Sequence, residues 1–249
     1  MATEFKRKYF ESVTGNLAEG SVTPQFAVLQ PTKKTIIKNI HCTNVSAVNE
    51  GDVSIRVNKA ANTGFYYISK NSTVPLQSSF QPIEGFMVLE SGDALEVATT
   101  SARTAVGGDT TGCLDVHVSY AENTFLGESS VFKHTITGTL ASDGIGVGQN
   151  LVWESPKDAM VKTMHIANVS DYDSSIDLRI LNGIDSSLGY IAKDTLVPTQ
   201  AAYTPIDSAF IFESGDKLEA RTNGLSHTGA GNTTGAMDVF ISYVNTNTL

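Results

Sequence analysis

Long apolar runs are missing from this chain of 249 residues. A membrane-spanning helix needs about 20 consecutive apolar residues, and a secretory signal peptide needs a shorter apolar stretch after a basic start. The chain instead begins with the mostly polar segment MATEFKRK. We therefore expect neither element, and we expect the protein to be made and assembled in a cytoplasm.

Positive charge is also scarce. The chain has 17 Lys and Arg against 26 Asp and Glu, which gives a formal net charge of −9. Nucleic acids and anionic membrane surfaces are bound mainly through clustered Lys and Arg. We therefore expect no nucleic-acid partner and no membrane partner, and we interpret the small basic cluster at residues 6–8 as part of a solvated N-terminal arm over residues 1–8.

Motifs for catalysis and cofactor binding are missing too. The sequence has no Gly-x-x-x-x-Gly-Lys phosphate loop, no Gly-x-Ser-x-Gly nucleophile motif and no His-x-His pair, so it lacks the common signatures of nucleotide binding, acyl transfer and zinc binding. Carboxylate pairs for glycoside cleavage stay open, because two acids distant in sequence can meet across a cleft. From the missing motifs we expect no cofactor, no metal and no enzymatic activity.

An internal repeat is the strongest feature that the sequence does contain. Residues 56–120 align without a gap to residues 179–243 at an offset of 123, and about two dozen of these 65 positions are identical. A repeat of this length is a complete small domain rather than a unit of a solenoid. We predict domains over residues 9–121 and 132–249, joined by a linker over residues 122–131.

The spacing of apolar residues predicts an all-β fold. Short segments rich in β-branched and aromatic residues, such as 35–43, 53–57 and 114–120, alternate with turn segments that contain Gly, Asn and Asp. Seven to nine short strands per repeat are typical of a β-sandwich or jelly roll. We therefore predict two tandem, homologous, jelly-roll-like β-sandwich domains.

Several repeated residues have a structural interpretation. The segment Glu-Ser-Gly-Asp at residues 90–93 and 213–216 suits a corner between strands, with a calcium site as the less favoured alternative. His41 and His165 suit hydrogen-bonded structural positions, and Asn44 and Asn168 suit strand ends that cap a turn. The two cysteines align with Ile166 and Ala236, which favours small buried hydrophobes over a disulfide.

The loops that differ between the repeats are the candidate interaction sites. Residues 101–109 and 224–232 keep the same length but not the same chemistry, and residues 58–63 differ from residues 181–186. Exposed loops on a rigid scaffold commonly carry binding contacts, although neutral drift explains such differences equally well. The candidate subunit-contact residues are Arg103, Thr104, Val106, Asp109, Leu225, His227 and Asn232.

One combination of residues resembles a known group of proteins. It consists of Lys38, His41, Asn44, Ser46, Tyr67, Lys70, Pro82, the segment 89–93 with Leu95 and Val97, and the segments 115–116 and 119–120. This pattern resembles small β-sandwich virion proteins of tailed bacteriophages. The resemblance spans both repeats and implies a structural protein that decorates the capsid or forms part of the neck, tail or baseplate.

From the resemblance we expect a location in the virion and contacts with other virion structural proteins. A two-domain chain that forms a trimer or hexamer also suits the match between three-fold and six-fold rings. A glycan-binding adhesin remains an alternative, for which the available aromatic residues are Tyr66, Tyr67, Trp153, Tyr172 and Tyr190. A two-unit chain suits a symmetry-matching ring, which favours the neck, tail or baseplate, with capsid decoration as the alternative.

Overall fold

The computed structural model describes residues 4–17, 26–60, 64–83, 85–104, 111–122, 128–136, 151–184, 188–207, 209–222 and 236–245. The chain divides into two compact units, residues 1–125 (unit 1) and residues 126–249 (unit 2). Every regular element in the described ranges is a β-strand. Within these ranges there is no helix long and apolar enough to span a membrane.

The described residues of unit 1 form nine strands. They are β1 (Glu4–Val13), β2 (Ala27–Leu29), β3 (Thr35–Asn44), β4 (Gly51–Asn58), β5 (Phe65–Val74), β6 (Ser79–Phe80), β7 (Met87–Leu89), β8 (Ala94–Ala98) and β9 (Leu114–Glu122). One antiparallel sheet has the order β1-β9-β3-β6, with β7 also paired to β3, and the second sheet has the order β2-β8-β4-β5.

Unit 2 repeats this arrangement strand for strand. Its strands are β10 (Glu128–Ile136), β11 (Leu151–Glu154), β12 (Ala159–Asn168), β13 (Ser174–Leu181), β14 (Leu188–Val197), β15 (Ala202–Ile206), β16 (Phe210–Phe212), β17 (Lys217–Thr222) and β18 (Met237–Asn245). The sheets have the orders β10-β18-β12-β15, with β16 paired to β12, and β11-β17-β13-β14. The predicted fold is confirmed: the protein is all-β, with two homologous jelly-roll-like β-sandwiches.

The core of each unit lies between its two sheets. In unit 2 one buried cluster takes Val161 and Ile166 from β12, Ile176 from β13, Leu218 from β17 and Val239 from β18. These residues come from both sheets, and an irregularity between Val161 and Thr163 places Val161 and Ile166 on the same face of β12. The hydrophobic pattern thus fixes which face of each strand meets the opposite sheet.

The expected N-terminal arm and linker differ from the structure. Residues 4–8 form the first half of β1 and pair with β9, and residues 128–131 already belong to β10. The basic cluster is compatible with a strand because β1 is at the edge of its sheet, where charged side chains are tolerated. Lys6 also forms an ion pair with Glu122 of β9 at 2.7 Å.

One irregular backbone position within a strand recurs in both units. Asn71 in β5 has φ +50°, and Asp194 at the equivalent place in β14 has φ +48°. The backbone N–H of Asn71 donates to Ser54 Oγ at 3.0 Å, and that of Asp194 donates to Asp177 Oδ1 at 2.6 Å. Each left-handed residue is therefore held by a side chain of the neighbouring strand, although the two units use different acceptors.

Candidate interaction surfaces

The base of the 101–109 loop in unit 1 is anchored to Asp52. The Asp52 carboxylate accepts hydrogen bonds from the hydroxyls of Thr99, Thr100 and Ser101, at 2.8, 2.8 and 2.6 Å, and from the backbone N–H groups of Thr100 and Ser101. Burial alone raises the pKa of Asp52, but the hydrogen bonds from Ser101, Thr100 and Thr99 outweigh it and the pKa lies below its usual value. These hydrogen bonds therefore fix the direction in which the chain leaves β8.

This anchor is specific to unit 1. Ser175 is at the position equivalent to Asp52, and Gly224 is at the position equivalent to Ser101. In unit 2, Thr222 Oγ1 instead donates to the backbone carbonyl of Ser175 at 2.9 Å. The two loops thus differ in how their strands support them as well as in their own residues.

Arg103 and Thr104 are the two candidate contact residues within the described ranges, and both are exposed. The backbone N–H of Arg103 donates to the Thr111 carbonyl at 2.9 Å, and its Nη1 donates to Ser12 Oγ at 3.3 Å. Asn49 Nδ2 donates to the backbone carbonyl of Thr104 at 3.3 Å. Local backbone bonds therefore hold both residues at the surface of unit 1.

The other candidate contact residues lie outside the described residues. They are Val106, Asp109, Leu225, His227 and Asn232. Their role in subunit contacts stays a prediction from the sequence. In the second pair of differing loops, the described segments are residues 58–60 and 181–184.

Tyr9 and Asp115 form a polar contact near Arg103. The Tyr9 hydroxyl donates to Asp115 Oδ2 at 2.7 Å, and the backbone N–H of Ser12 donates to Asp115 Oδ1 at 2.9 Å. The hydrogen bond to Asp115 raises the pKa of Tyr9 above its usual value. Asp115 thus ties edge strand β1 to β9 beside the anchored loop.

Each unit contains one buried Arg–Glu ion pair that the sequence analysis missed. Arg56 and Glu96 pair across β4 and β8, and Arg179 and Glu219 pair across β13 and β17. Both pairs are on the sheet face opposite the core, and the rings of Phe65 and Tyr67 lie over the Arg56 guanidinium at 4.5 and 6.0 Å. The signal was present in the sequence, because both partners recur at an offset of 123.

The repeated corner segments have the structural role predicted for them. Gly92 and Gly215 adopt φ +87° and +89°. Asp93 Oδ2 accepts the backbone N–H of Glu90 at 2.9 Å, and Asp216 Oδ2 accepts that of Glu213 at 2.9 Å. Asp93 also forms an ion pair with Lys59. The corner carboxylates are thus occupied by N–H donors.

The repeated Asn and His residues also confirm their structural interpretation. Asn44 Nδ2 donates to the carbonyls of residues 49 and 74, and Asn168 Nδ2 donates to those of residues 172 and 197. His41 Nδ1 lies 3.1 Å from Gln81 Nε2, and His165 Nδ1 lies 3.4 Å from Thr204 Oγ1. These bonds connect each strand to the loop or strand next to it.

Both cysteines are free and fully buried, as predicted. Burial raises the pKa of the Cys42 thiol to about 12. Burial is also the main cause that raises the pKa of Cys113. A thiol that stays protonated is a poor nucleophile, so both residues act as small apolar groups of the unit 1 core.

The aromatic residues considered for glycan binding divide into two groups. Trp153 is 6% exposed and packs against Phe212 and Tyr243, with ring centroids 5.1 and 4.8 Å away. Tyr67 is buried as well, whereas Tyr172 and Tyr190 are exposed. Trp153 is therefore a core residue of unit 2, and the candidates that remain at the surface are the two exposed tyrosines and Tyr66, which is partly exposed.

No family model and no curated protein matches the chain. Solved structures align with nearly all of it. PNGase F, a glycosylasparaginase from Flavobacterium meningosepticum, is 12% identical over 98% of this chain and 96% of its own, with a TM-score of 0.38. The CBM22-1-CBM22-2 tandem domain of Paenibacillus barcinonensis Xyn10C is 10% identical over 97% and 93%, with a TM-score of 0.26.

A third similar structure comes from a virus. VP2 of the infectious bursal disease virus subviral particle is 9% identical over 98% of this chain and 72% of its own, with a TM-score of 0.26. At such identities and TM-scores the likeness concerns the β-strand fold alone. The resemblance to tailed-phage proteins stays a prediction.

The missing motifs do not exclude enzymatic activity, so the expectation that the chain is not an enzyme is wrong. PNGase F, which aligns with 98% of the chain, is itself an enzyme. The expectation rested on missing sequence motifs, and catalytic groups brought together by folding leave no such motif.

Proposed function

We propose that the chain is a structural component of a tailed-phage virion and assembles through protein–protein contacts in the neck, tail or baseplate. Its partners are then copies of itself in a trimer or hexamer and other virion proteins. Its location is the virion, after synthesis in the host cytoplasm. The proposal combines the resemblance noted in the sequence with the distribution of repeated and unrepeated residues over the two units.

The observation that carries the proposal is that the two units share their internal polar groups and differ at their surfaces. The buried ion pairs, the corner carboxylates and the capping asparagines recur in both units. The anchored loop base at Asp52 and the exposed apolar residues do not recur. Such a division fits a duplicated scaffold whose two outer surfaces meet different neighbours.

Exposed apolar side chains give further support. Phe5 and Tyr9 on β1, Leu196 on β14 and Ile211 on β16 are all more than half exposed. Large exposed apolar groups become favourable when a partner removes them from water. Their positions on three strands near sheet edges fit a chain that contacts several neighbours.

Capsid decoration is an alternative with the same assembly chemistry. A cement protein would occur in hundreds of copies on the capsid, in contrast to a ring in the neck, tail or baseplate. Immunogold electron microscopy of purified particles distinguishes the two locations. Label at the neck, tail or baseplate supports the proposal; label over the whole capsid supports decoration, and particles without label contradict both.

Glycan binding is a second alternative, favoured by the exposure of Tyr172 and Tyr190. Exposed aromatic rings stack on sugar faces, and Tyr supplies a hydroxyl for hydrogen bonds. A glycan array probed with the full chain tests this alternative. Binding that is lost in Tyr172→Ala or Tyr190→Ala, but kept in the equally exposed Leu196→Ala, would support the adhesin.

A further inference from the structure

An asparagine followed by a glycine lies at the surface of unit 2, directly after β13. Asn182 is partly exposed and Gly183 is exposed. This dipeptide is prone to spontaneous deamidation in an unfolded chain, because glycine has no side chain to hinder attack by its own backbone nitrogen. The equivalent residues of unit 1 are Lys59 and Ala60, so unit 2 alone has the reactive dipeptide at this position.

Deamidation is a reaction between two adjacent groups and water. The backbone nitrogen of Gly183 gives up its proton to water, bonds to Asn182 Cγ and displaces the side-chain nitrogen as ammonia. Water then opens the resulting cyclic imide and leaves either aspartate or isoaspartate at position 182. The reaction therefore needs a free N–H on Gly183 and an Asn182 side chain that turns toward it.

Both reacting groups are hydrogen-bonded in the structure. The backbone N–H of Gly183 donates to Asp216 Oδ1 at 2.9 Å, and Asn182 Oδ1 accepts the backbone N–H of Ile184 at 2.8 Å. The hydrogen bond to Asp216 opposes loss of the Gly183 proton, because the resulting anion would lie beside a carboxylate. The bond from Ile184 holds the Asn182 side chain in one orientation.

The acceptor of the Gly183 N–H has a fixed position. Asp216 is 7% exposed, and its second carboxylate oxygen accepts the backbone N–H of Glu213 at 2.9 Å. The backbone carbonyl of Asp216 also accepts the N–H of Ser155 at 2.8 Å. The carboxylate that holds Gly183 is therefore part of the corner between β16 and β17 and not a loose surface group.

Packing against the same corner requires glycine at position 183. A Cβ there would lie 2.5 Å from the carbonyl carbon of Gly215 and 2.6 Å from its oxygen, and both are backbone atoms. The residue that makes the dipeptide reactive is therefore one that the fold requires. In unit 1 the N–H of Ala60 donates to Asp93 Oδ1 at 3.1 Å, so the hydrogen bond recurs there without the asparagine.

We propose that Asn182-Gly183 is a deamidation site and that Asp216 keeps it unreactive while the corner is closed. Local opening of the corner frees the Gly183 N–H and the Asn182 side chain, and the reaction then proceeds. Isoaspartate adds a methylene group to the backbone, which moves Gly183 away from its close contact with Gly215. The site belongs to unit 2 and does not depend on the virion role.

Peptide mapping by mass spectrometry measures the reaction in the full chain. At neutral pH we expect deamidation of Asn182 to be slower by about tenfold or more in the folded protein than in the same chain unfolded in urea. Equal rates in the two states contradict the inference. Hydrogen exchange of the unaltered protein is a second readout: the Gly183 amide should be protected although the residue is exposed, and unprotected exchange would overturn the role of Asp216.

Replacement of the carboxylate tests its role directly. Asp216→Ala should raise the deamidation rate of Asn182 by about tenfold. Asp93→Ala is the matched control, because it removes the equivalent hydrogen bond from unit 1 and should leave the rate at Asn182 unchanged. Circular dichroism verifies that both variants are folded, and a wild-type rate in folded Asp216→Ala contradicts the inference. The comparison of folded and unfolded wild type stays decisive if Asp216→Ala does not fold.

The effect of the modification on unit 2 needs a variant that does not react at this site. Wild type incubated until Asn182 is converted should unfold at a lower temperature than fresh wild type, whereas Asn182→Ser incubated in the same way should keep its unfolding temperature. The second Asn-Gly dipeptide of the sequence, residues 223–224, is present in both proteins. Equal losses in both proteins would contradict a specific effect of deamidation at Asn182.

Discussion

Arg56 Nε lies 2.7 Å from Glu96 Oε2, and both side chains are completely buried. The equivalent pair in unit 2, Arg179 and Glu219, has a distance of 2.8 Å between Nη2 and Oε2. A buried charge that loses its partner is strongly destabilising, whereas replacing a whole buried pair by apolar residues is often nearly neutral. Each unit therefore requires both partners of its pair, because either one alone would be a buried charge without a partner.

Removal of one partner of this pair should be costly. We expect Glu96→Ala to lower the free energy of unfolding by about 3–5 kcal/mol, because it leaves the Arg56 charge buried without its carboxylate. Urea denaturation followed by circular dichroism measures the change. The double variant Arg56→Met with Glu96→Leu should lose less than the single variant; an equal or greater loss contradicts the explanation.

The Asp52 anchor predicts a pH-dependent effect. The pKa of Asp52 is lower in the folded protein than in the unfolded chain, so its stabilising contribution is present above the usual Asp value of about 3.9 and disappears as the pH falls through the folded-state pKa. Asp52→Asn should therefore lower the free energy of unfolding by about 2 kcal/mol near pH 7. The difference from wild type should shrink steadily below about pH 4.

Denaturation curves at several pH values measure this difference. Ser175→Ala, at the equivalent position of unit 2, is the control. There the backbone carbonyl of Ser175 accepts the hydrogen bond from Thr222, and alanine keeps that carbonyl. Its difference from wild type should not change over the same range. A constant Asp52→Asn difference down to pH 2 would argue against an ionised anchor.

The two corner glycines should tolerate alanine to different degrees. Both adopt a positive φ, which costs an L-residue about 1–2 kcal/mol. A Cβ on Gly92 would also lie 2.9 Å from Ala60 Cβ, whereas the nearest atom to a Cβ on Gly215 is Gly183 Cα at 3.8 Å. Thermal unfolding should show a larger loss for Gly92→Ala than for Gly215→Ala, and the reverse order would contradict the corner geometry.

The two cysteines should be unreactive in the folded protein. Burial raises the pKa of Cys42 to about 12, and the side chain of Cys113 is inaccessible as well. A colorimetric thiol reagent at pH 8 should detect almost no free thiol before denaturant is added and both thiols afterwards. Rapid reaction of either thiol in the native state would show that the unit 1 core opens readily.

Local sequence patterns were sufficient to predict the fold class and several residue roles. The corner at Gly92 and Asp93 and the cap at Asn44 depend on groups close in sequence or on a recurring turn chemistry, so the repeat revealed them. The buried Arg56–Glu96 pair depends on strand register, which places residues 40 positions apart on adjacent strands. The repeat contained both residues, but spacing in the sequence does not show that they pair.

Edge strands and buried surfaces were the least predictable features. The segment that includes Lys6 was interpreted as an arm because it is charged. In the structure it forms edge strand β1 and pairs with β9. Trp153 was a candidate for glycan binding, yet it packs in the unit 2 core.

The copy number of the chain in purified particles tests the virion proposal most directly. Quantitative mass spectrometry against the major capsid protein measures it. We predict a small multiple matching a ring, about six or twelve copies per particle. A copy number in the hundreds would identify a capsid decoration protein, and absence from purified particles would contradict the virion role altogether.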